Sequence, residues 1–190
     1  MTTTAGLVLA AGEGRRFGGP KAPYVLDGER LVDRAVRVLL EGSCDRVVVV
    51  LGAWVGDVPG ADVVVNEHWR TGMGSSLRCG LEHLGADVDR ALVSLVDLPG
   101  LTPEAVRRLS AVESDDPREV LASATYDGVR GHPVLFGRDH WAGVIASAAG
   151  DRGARDYLAS RDVHLVEVGD VATGDDLDTP VPEPHPRFHD

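Results

Sequence analysis

GLVLAAGEGRRFGGPK, residues 6–21, decides the fold. A short apolar run, Gly6 to Ala11, passes directly into a loop that holds four glycines, two arginines and a lysine by residue 21. The run is too short for a helix and reads as a strand. Beyond the loop, Leu31, Val32, Ala35, Val36, Leu39 and Leu40 return at the spacing of one helix face. The chain therefore opens as strand, glycine-rich loop, helix.

The same alternation continues outward. Val47 to Leu51 and Asp62 to Val65 are rich in β-branched residues and read as buried strands, and a helix is expected from about Met73 to Leu84. Ala91 to Val96 is the next strand. Thr102 as N-cap with Pro103 at the first helical position then starts a helix through Val112. Val120 to Thr125 and Val134 to Phe136 flank the turn-like YDGVRGH stretch, and Val163 to Val168 is a further strand. Arg138 to Ala148 and Ala154 to Ser160 read as helices. Strands separated by helices of this length predict mainly parallel pairing with right-handed crossovers, hence a three-layer α/β domain of Rossmann-like type. Residues 1–180 are expected to form one domain. VPEPHPRFHD, residues 181–190, repeats proline too often for a helix or a central strand and is expected to be an extended tail, in which His185 and His189 carry no metal expectation.

Composition narrows the function. Of 190 residues, 43% are hydrophobic, the usage of an ordinary globular chain. Thirty acidic against 19 basic residues give a formal charge of −11, which argues against nucleic acid or an anionic membrane surface as partner. The start has no basic region before its apolar stretch and no run long enough to cross a membrane, so a cytoplasmic protein is expected. Cys44 and Cys79 lack metal or disulfide spacing and read as reduced, structural residues.

An anionic ligand must then be captured locally, and the first loop is the place. In an open α/β sheet, ligands sit at the carboxyl ends of strands, where glycine lets backbone N–H groups approach phosphate. Two familiar glycine patterns do not fit. The dinucleotide pattern counted from Gly12 needs glycine where Phe17 stands, and the Walker pattern needs a hydroxyl residue where Ala22 follows Lys21. What remains is Arg16 and Lys21 as fixed cations beside flexible backbone, a combination suited to a polyphosphate whose charge grows on a leaving group. Asp97, at the end of an apolar run, suits a magnesium ligand, and Mg²⁺ prefers one or two protein carboxylates plus phosphate oxygens and waters. Gly72 to Ser76 opens a predicted helix, so Ser75 either caps it or meets a ligand. Trp69 and Trp141 read as packing residues.

These residues carry a resemblance. Leu9, Ala10, Ala11, Gly12, Gly14, Arg16, Phe17, Gly18 and Lys21 resemble the opening of the molybdenum cofactor nucleotidyltransferases. NEHWRTGMGSSL (66–77), Asp97-Leu98-Pro99, Gly131-His132-Pro133, Gly150 to Ala154 with Leu158, and Asp176-Leu177-Asp178-Thr179-Pro180 look like the later blocks of the cytidylyl branch. The resemblance implies nucleotidyl transfer to the terminal phosphate of molybdopterin, with CTP favoured over GTP. It implies nucleotide binding by Leu9, Ala10, Ala11, Gly12, Gly14, Arg16, Lys21, Asn66, Ser75, Ser76 and Asp97, and acceptor binding by Gly131, His132 and Pro133. Arg16, Lys21 and Asp97 are then the catalytic residues, with Mg²⁺ held by Asp97 and Asp178, or Asp176 in place of Asp178. Docking to a molybdenum hydroxylase is a further implication. The alternatives are a guanylyltransferase, a transferase for a sugar phosphate or phosphoenolpyruvate, a nucleotide-binding delivery module without catalysis, and a structural domain.

Overall fold

The computed structural model describes residues 2–181. The expectations for His185 and His189, and for the tail beyond Val181, lie outside the described residues. The chain runs β1 (Thr4–Leu9), β2 (Val25–Leu26), β3 (Glu29–Arg30), α1 (Leu31–Glu41), β4 (Arg46–Leu51), β5 (Asp62–Val65) and α2 (Met73–His83). It continues with β6 (Arg90–Leu95), α3 (Pro103–Ser110), β7 (Leu121–Tyr126), β8 (Val129–Gly137), α4 (Arg138–Ser147), α5 (Arg155–Ala159) and β9 (His164–Glu167). Single 3₁₀ turns lie at Trp69–Thr71 and Gly150–Arg152.

Seven strands form one sheet in the order β5-β4-β1-β6-β8-β7-β9, and β2 with β3 make a separate small hairpin. β1 is buried along its whole length and pairs in parallel with β4 on one side and β6 on the other. Because strand side chains alternate between faces, it feeds two cores. Val8 and Ala10 join Leu31, Leu39, Val106 and Leu109 of the α1 and α3 layer. Leu7 and Leu9 join Leu77, Leu81, Trp141 and Leu158 of the layer built by α2, α4 and α5. The expected three-layer α/β architecture is what the chain adopts. α3 begins as its sequence predicts, with Thr102 Oγ1 accepting from the Ala105 N–H at 3.3 Å and Pro103 in its first turn.

The sheet is mainly parallel, as expected, and β8 alone runs antiparallel, to both β6 and β7. The cause is local: Asp127 (φ 51°) and Gly128 (φ 78°) form a two-residue hairpin turn between Tyr126 and Val129, the sequence type that such turns require. β5 was expected to be buried, yet it lies at the sheet edge with three of its four residues exposed. Cys44 and Cys79 are both free, and burial pushes the Cys44 thiol up to about 12, which keeps it protonated and inert. Among the described residues no helix is long and apolar enough to cross a membrane.

Candidate active site

From β1 the chain turns one way to β4 and, later, the other way to β6, so the carboxyl ends of β1 and β6 flank a crevice. The first loop lies over it in a fixed conformation. The N–H groups of Gly18 and Gly19 donate to the Gly14 carbonyl at 2.8 and 3.1 Å. Gly14 has φ +61°, and a Cβ there would fall 1.9 Å from the Gly19 carbonyl oxygen, so only glycine fits. Phe17 is buried and meets the Tyr24 ring edge-on at 4.8 Å, pinning the far end of the loop. This anchorage aims Lys21, the only lysine in the chain.

The Lys21 ammonium donates to Asp97 Oδ2 at 2.7 Å and lies 3.8 Å from Asp178 Oδ1. The Lys21 and Asp97 side chains are only 15% and 19% exposed, so this is a semi-enclosed pair. Asp97 stands two residues past β6. Segment 173–178 is laid along it: the Leu177 N–H donates to the Asp97 carbonyl at 2.9 Å and the Thr173 N–H to Gly100 at 3.1 Å. That pairing brings Asp176 and Asp178 alongside. Burial by the surrounding protein raises the Asp176 carboxyl above the ordinary aspartate value, the charges of Asp97 and Asp178 add to this, and Lys21 opposes it. Among the described residues no three metal-ligating side chains converge into a ready-made metal site. One or two carboxylates with room for triphosphate oxygens and water is nevertheless the pattern a hard divalent cation takes beside a nucleotide. Asp97 with Asp178, or with Asp176, fits that pattern.

Beside the pair opens a cleft of about 500 Å³ whose walls include Gly12, Trp69, Arg70, Ser76, Asp97 and Asp176. Nothing would meet a Cβ on Gly12 within 4 Å, so its backbone faces open space. Leu9 and Ala11 also line this cleft, whereas Ala10 points into the α1 core and offers a ligand only its backbone. Arg15, not Arg16, reaches the cleft wall. Arg16 is exposed and borders a smaller hollow together with Gly14, Lys21 and Asp178. Trp69 is wedged between Gly52, where a Cβ would meet it at 2.7 Å, and the Arg70 guanidinium at 4.3 Å from its ring centre. Trp141 is buried, its indole N–H donating to the Phe136 carbonyl at 3.1 Å.

Asn66 and Ser75 stand elsewhere. The Asn66 amide donates to Ser75 Oγ at 2.8 Å and Ser76 Oγ at 3.1 Å, and its oxygen accepts from the His68 N–H. Ser75 Oγ in turn contacts the carbonyls of Gly72 and His68, so it neither caps α2 nor faces the first cleft. Both residues border a separate hollow beside Cys79. Their polar atoms are bonded to one another and to the backbone at the start of α2, while Ser76 lines the first cleft. Gly72 and Gly74 have a packing reason: a Cβ on either would fall 2.4 Å from the Gly150 backbone or 2.7 Å from the Ala149 nitrogen.

That close approach builds a second cleft, of about 480 Å³, which shares Leu9, Met73, Leu95, Asp151 and Asp176 with the first. Gly131 and His132 line it, and the buried Pro133 follows them in β8. His132 was expected on a turn. It lies instead in a strand, where the β7–β8 register shifts and residues 131–133 oppose only Ala124; such a bulge re-aims side chains. Burial lowers the His132 imidazole to about 4, Asp97 opposing that shift and Arg155 adding to it. It is therefore neutral near pH 7 on the wall of the second cleft. Sequence reasoning passed over Arg15, Arg70, Arg130, Arg152 and Arg155, which line the clefts from the first loop, the two 3₁₀ turns, β8 and α5.

Comparison with known proteins agrees with this fold. The model of the family described as MobA-like NTP transferase domain matches residues 6–166. The chain is 37% identical to the nicotine blue oxidoreductase of Paenarthrobacter nicotinovorans over 94% of each chain. It is 31% identical to the probable molybdenum cofactor guanylyltransferase of Mycobacterium ulcerans over 95% of this chain and 94% of that one. The crystal structure of Rv0371c from Mycobacterium tuberculosis H37Rv superposes with a TM-score of 0.77 at 27% identity, covering 94% of both chains. The same protein solved as a manganese complex gives a TM-score of 0.71 at 26% identity, covering 88% of this chain and 89% of that one.

Proposed function

The chain belongs to the MobA-like NTP transferase family and is a nucleotidyltransferase, and from that premise we propose that it moves a nucleotidyl group, CMP from CTP in the first instance, onto the terminal phosphate of a molybdopterin-type acceptor. One observation carries the reading. Lys21, Asp97, Asp176 and Asp178 gather at the ends of β1 and β6, beside a cleft that runs into a second one. In the first cleft the triphosphate lies against Gly12 and the loop backbone. An acceptor phosphate oxygen attacks the α-phosphorus in line from the second, and pyrophosphate leaves. Lys21 gives up Asp97 and follows the departing pyrophosphate, with Arg16 at the rim. A divalent cation, magnesium in this reading, held by Asp97 and by Asp178 or Asp176, supplies Lewis-acid stabilisation of phosphate charge when bound. The relative solved with manganese supports a divalent ion. No protein nucleophile is required. Residues 1–180 carry these parts as one catalytic unit, and a molybdenum hydroxylase is the partner to which the product is handed.

Base choice has two readings. Ala10-Ala11-Gly12, with Pro20 before Lys21, favours CTP, and the relative named as a guanylyltransferase favours GTP. A thermal unfolding scan with a divalent metal and each of CTP, GTP, ATP and UTP separates them. Ligand at about 100 times its Kd adds roughly 2.7 kcal/mol. A shift with CTP alone supports the cytidylyl reading, a shift with GTP alone replaces it with the guanylyl one, and no shift with any triphosphate contradicts both. The relative named as an oxidoreductase motivates a redox chemistry instead. Stabilisation by none of the triphosphates is the result that favours it.

A further inference from the structure

Segment 173–178 carries Asp176 and Asp178, and its backbone bonds to Gly100 and Asp97 leave Gly174 between them to be placed by packing. The group packed there is the Tyr126 ring: a Cβ on Gly174 would fall 2.7 Å from both Cδ2 and Cε2. Gly174 does not have a positive φ, so the ring, and not the backbone, excludes a side chain. The same ring lies against β8, where a Cβ on Gly131 would fall 3.0 Å from Cε2, and its hydroxyl donates to the His132 carbonyl at 2.7 Å. Burial pushes that hydroxyl up to about 12, with the Glu167 charge adding to the shift, so it stays protonated and keeps donating. Tyr126 is also held from behind. It ends β7, and Glu167 of β9 accepts from the N–H groups of Asp127 and Gly128 at 3.0 Å each, from the Gly169 N–H at 2.9 Å and from the Thr125 hydroxyl at 2.8 Å. A ring fixed at its hydroxyl, one edge and both flanking residues has no soft direction in which to yield. Tyr126 is not itself part of either cleft wall, yet Gly131, His132, Gly174 and Asp176 all line the second cleft and Asp176 lines the first.

We infer that Tyr126 is a positioning residue for nucleotidyl transfer: its ring is the stop against which Gly174 rests, and it thereby sets where Asp176 and Asp178 stand relative to Asp97 and Lys21. The inference rests on the reading of these carboxylates as the seat of a divalent cation beside the triphosphate. Gly174 lies two residues before Asp176 and four before Asp178, so a shift at Gly174 reaches both. A hard cation demands its oxygens at defined places. Loosening the segment therefore weakens the hold on the metal and leaves the triphosphate's contacts with the first loop as they were.

Hydrogen exchange of segment 173–178, followed by mass spectrometry in the metal-free full chain, reports the stop directly. Tyr126→Ala should speed exchange there by about tenfold or more and leave β1 unchanged, the mark of a local opening. Tyr126→Phe keeps the ring and should stay within about threefold of the wild type. The second readout is the factor by which Mn²⁺ strengthens the binding of CTP, and separately of GTP, in isothermal titration. That factor should fall about 10- to 100-fold in Tyr126→Ala, the range for a lost outer support of a metal ligand, while metal-free affinity for the same triphosphate holds. Gly174→Ala drives a methyl into the ring and should reproduce both effects. In the Tyr126→Ala background it should add little, because the ring it would strike is gone. Should Tyr126→Ala fail to fold by circular dichroism, Gly174→Ala alone carries the same expectations. A folded Tyr126→Ala with wild-type exchange at 173–178 overturns the inference, as does exchange that quickens equally in β1, or a metal factor unmoved while the segment loosens. A wild type in which Mn²⁺ adds nothing to triphosphate binding overturns the metal reading alone, and exchange at 173–178 still decides whether Tyr126 is the stop.

Discussion

Replacing Lys21 by alanine removes the ammonium that bonds Asp97 and lies beside Asp178. The Lys21–Asp97 bond is 2.7 Å long and lies between side chains 15% and 19% exposed. A hydrogen bond to a charged group contributes about 1.5–3 kcal/mol, and partial exposure places this one near the lower end, at about 1.5–2 kcal/mol. For a chain of this length that is a fall of roughly 3–8 °C in Tm. The structure predicts a second effect of opposite sign. With Lys21 gone, Asp97 and Asp178 lose the ammonium they share, and a divalent cation can take its place. Metal at about ten times its Kd returns about 1.4 kcal/mol. In the wild type the ammonium already occupies Asp97, so metal without nucleotide should move Tm little. The assay is thermal unfolding of both proteins with and without Mn²⁺, with turnover read in parallel and expected to fall about 10²- to 10³-fold in the variant. Equal stabilisation of both proteins by metal alone would refute the reasoning. Because Lys21 is the only lysine, an amine-selective reagent followed by peptide mapping, which separates Lys21 from the α-amino group, reports its state directly, and metal with triphosphate should protect it.

Other outcomes follow from the same geometry. Asn66→Ala should cost about 1–3 kcal/mol, since it orphans buried hydroxyls, while leaving triphosphate affinity unchanged in isothermal titration; a loss of affinity would return Asn66 to the nucleotide site. Gly74→Ala pushes a methyl against the Ala149 nitrogen and should cost about 1–3 kcal/mol, raising KM for the acceptor more than for the nucleotide, by steady-state kinetics. His132 is held neutral in the fold, with a pKa of about 4 against 6.5. The unfolded chain therefore binds more protons between those values, and stability falls as pH drops from 6.5 to 4. His132→Gln should flatten that part of a denaturant-monitored pH profile. Glu167 is held at about 2 by the N–H groups of Gly128 and Gly169 and by Thr125. Its contribution is complete above about pH 4.5 and lost towards 2, so Glu167→Gln should lower Tm at pH 7 more than at pH 2.5.

The elements that came through from sequence are those set by local rules. The helix face of α1, the Thr102 cap and the run that becomes β1 are each written in neighbouring residues, and each formed within two residues of its expected bounds. β5 misled because VVV has the same composition at a sheet edge as in its centre, and sheet order is decided by distant partners. The turn around Asp127-Gly128 was legible between its two strands, but β8 begins earlier than the apolar run Val134 to Phe136, at Val129 directly after the turn. In the site, the glycine loop with Lys21 and Asp97 was legible because a strand-to-helix turn fixes where a ligand sits. Asn66 and Ser75 are polar residues in a motif block, and only the packed chain shows their groups spent on each other. Arg130, Arg152 and Arg155 come from two separated segments with no common pattern, so the fold alone assembles them.

Pyrophosphate release tests nucleotidyl transfer most directly. Purified protein is mixed with a divalent metal, CTP or GTP, and molybdopterin, and pyrophosphate is counted against nucleotide-bearing product by mass spectrometry. The geometry of Lys21, Asp97 and the two joined clefts predicts one pyrophosphate per nucleotidylated acceptor, none without acceptor, and a loss of about 10²-fold or more in Lys21→Ala. Product formation undiminished in that variant, or no pyrophosphate with any triphosphate while the protein binds them, would contradict it.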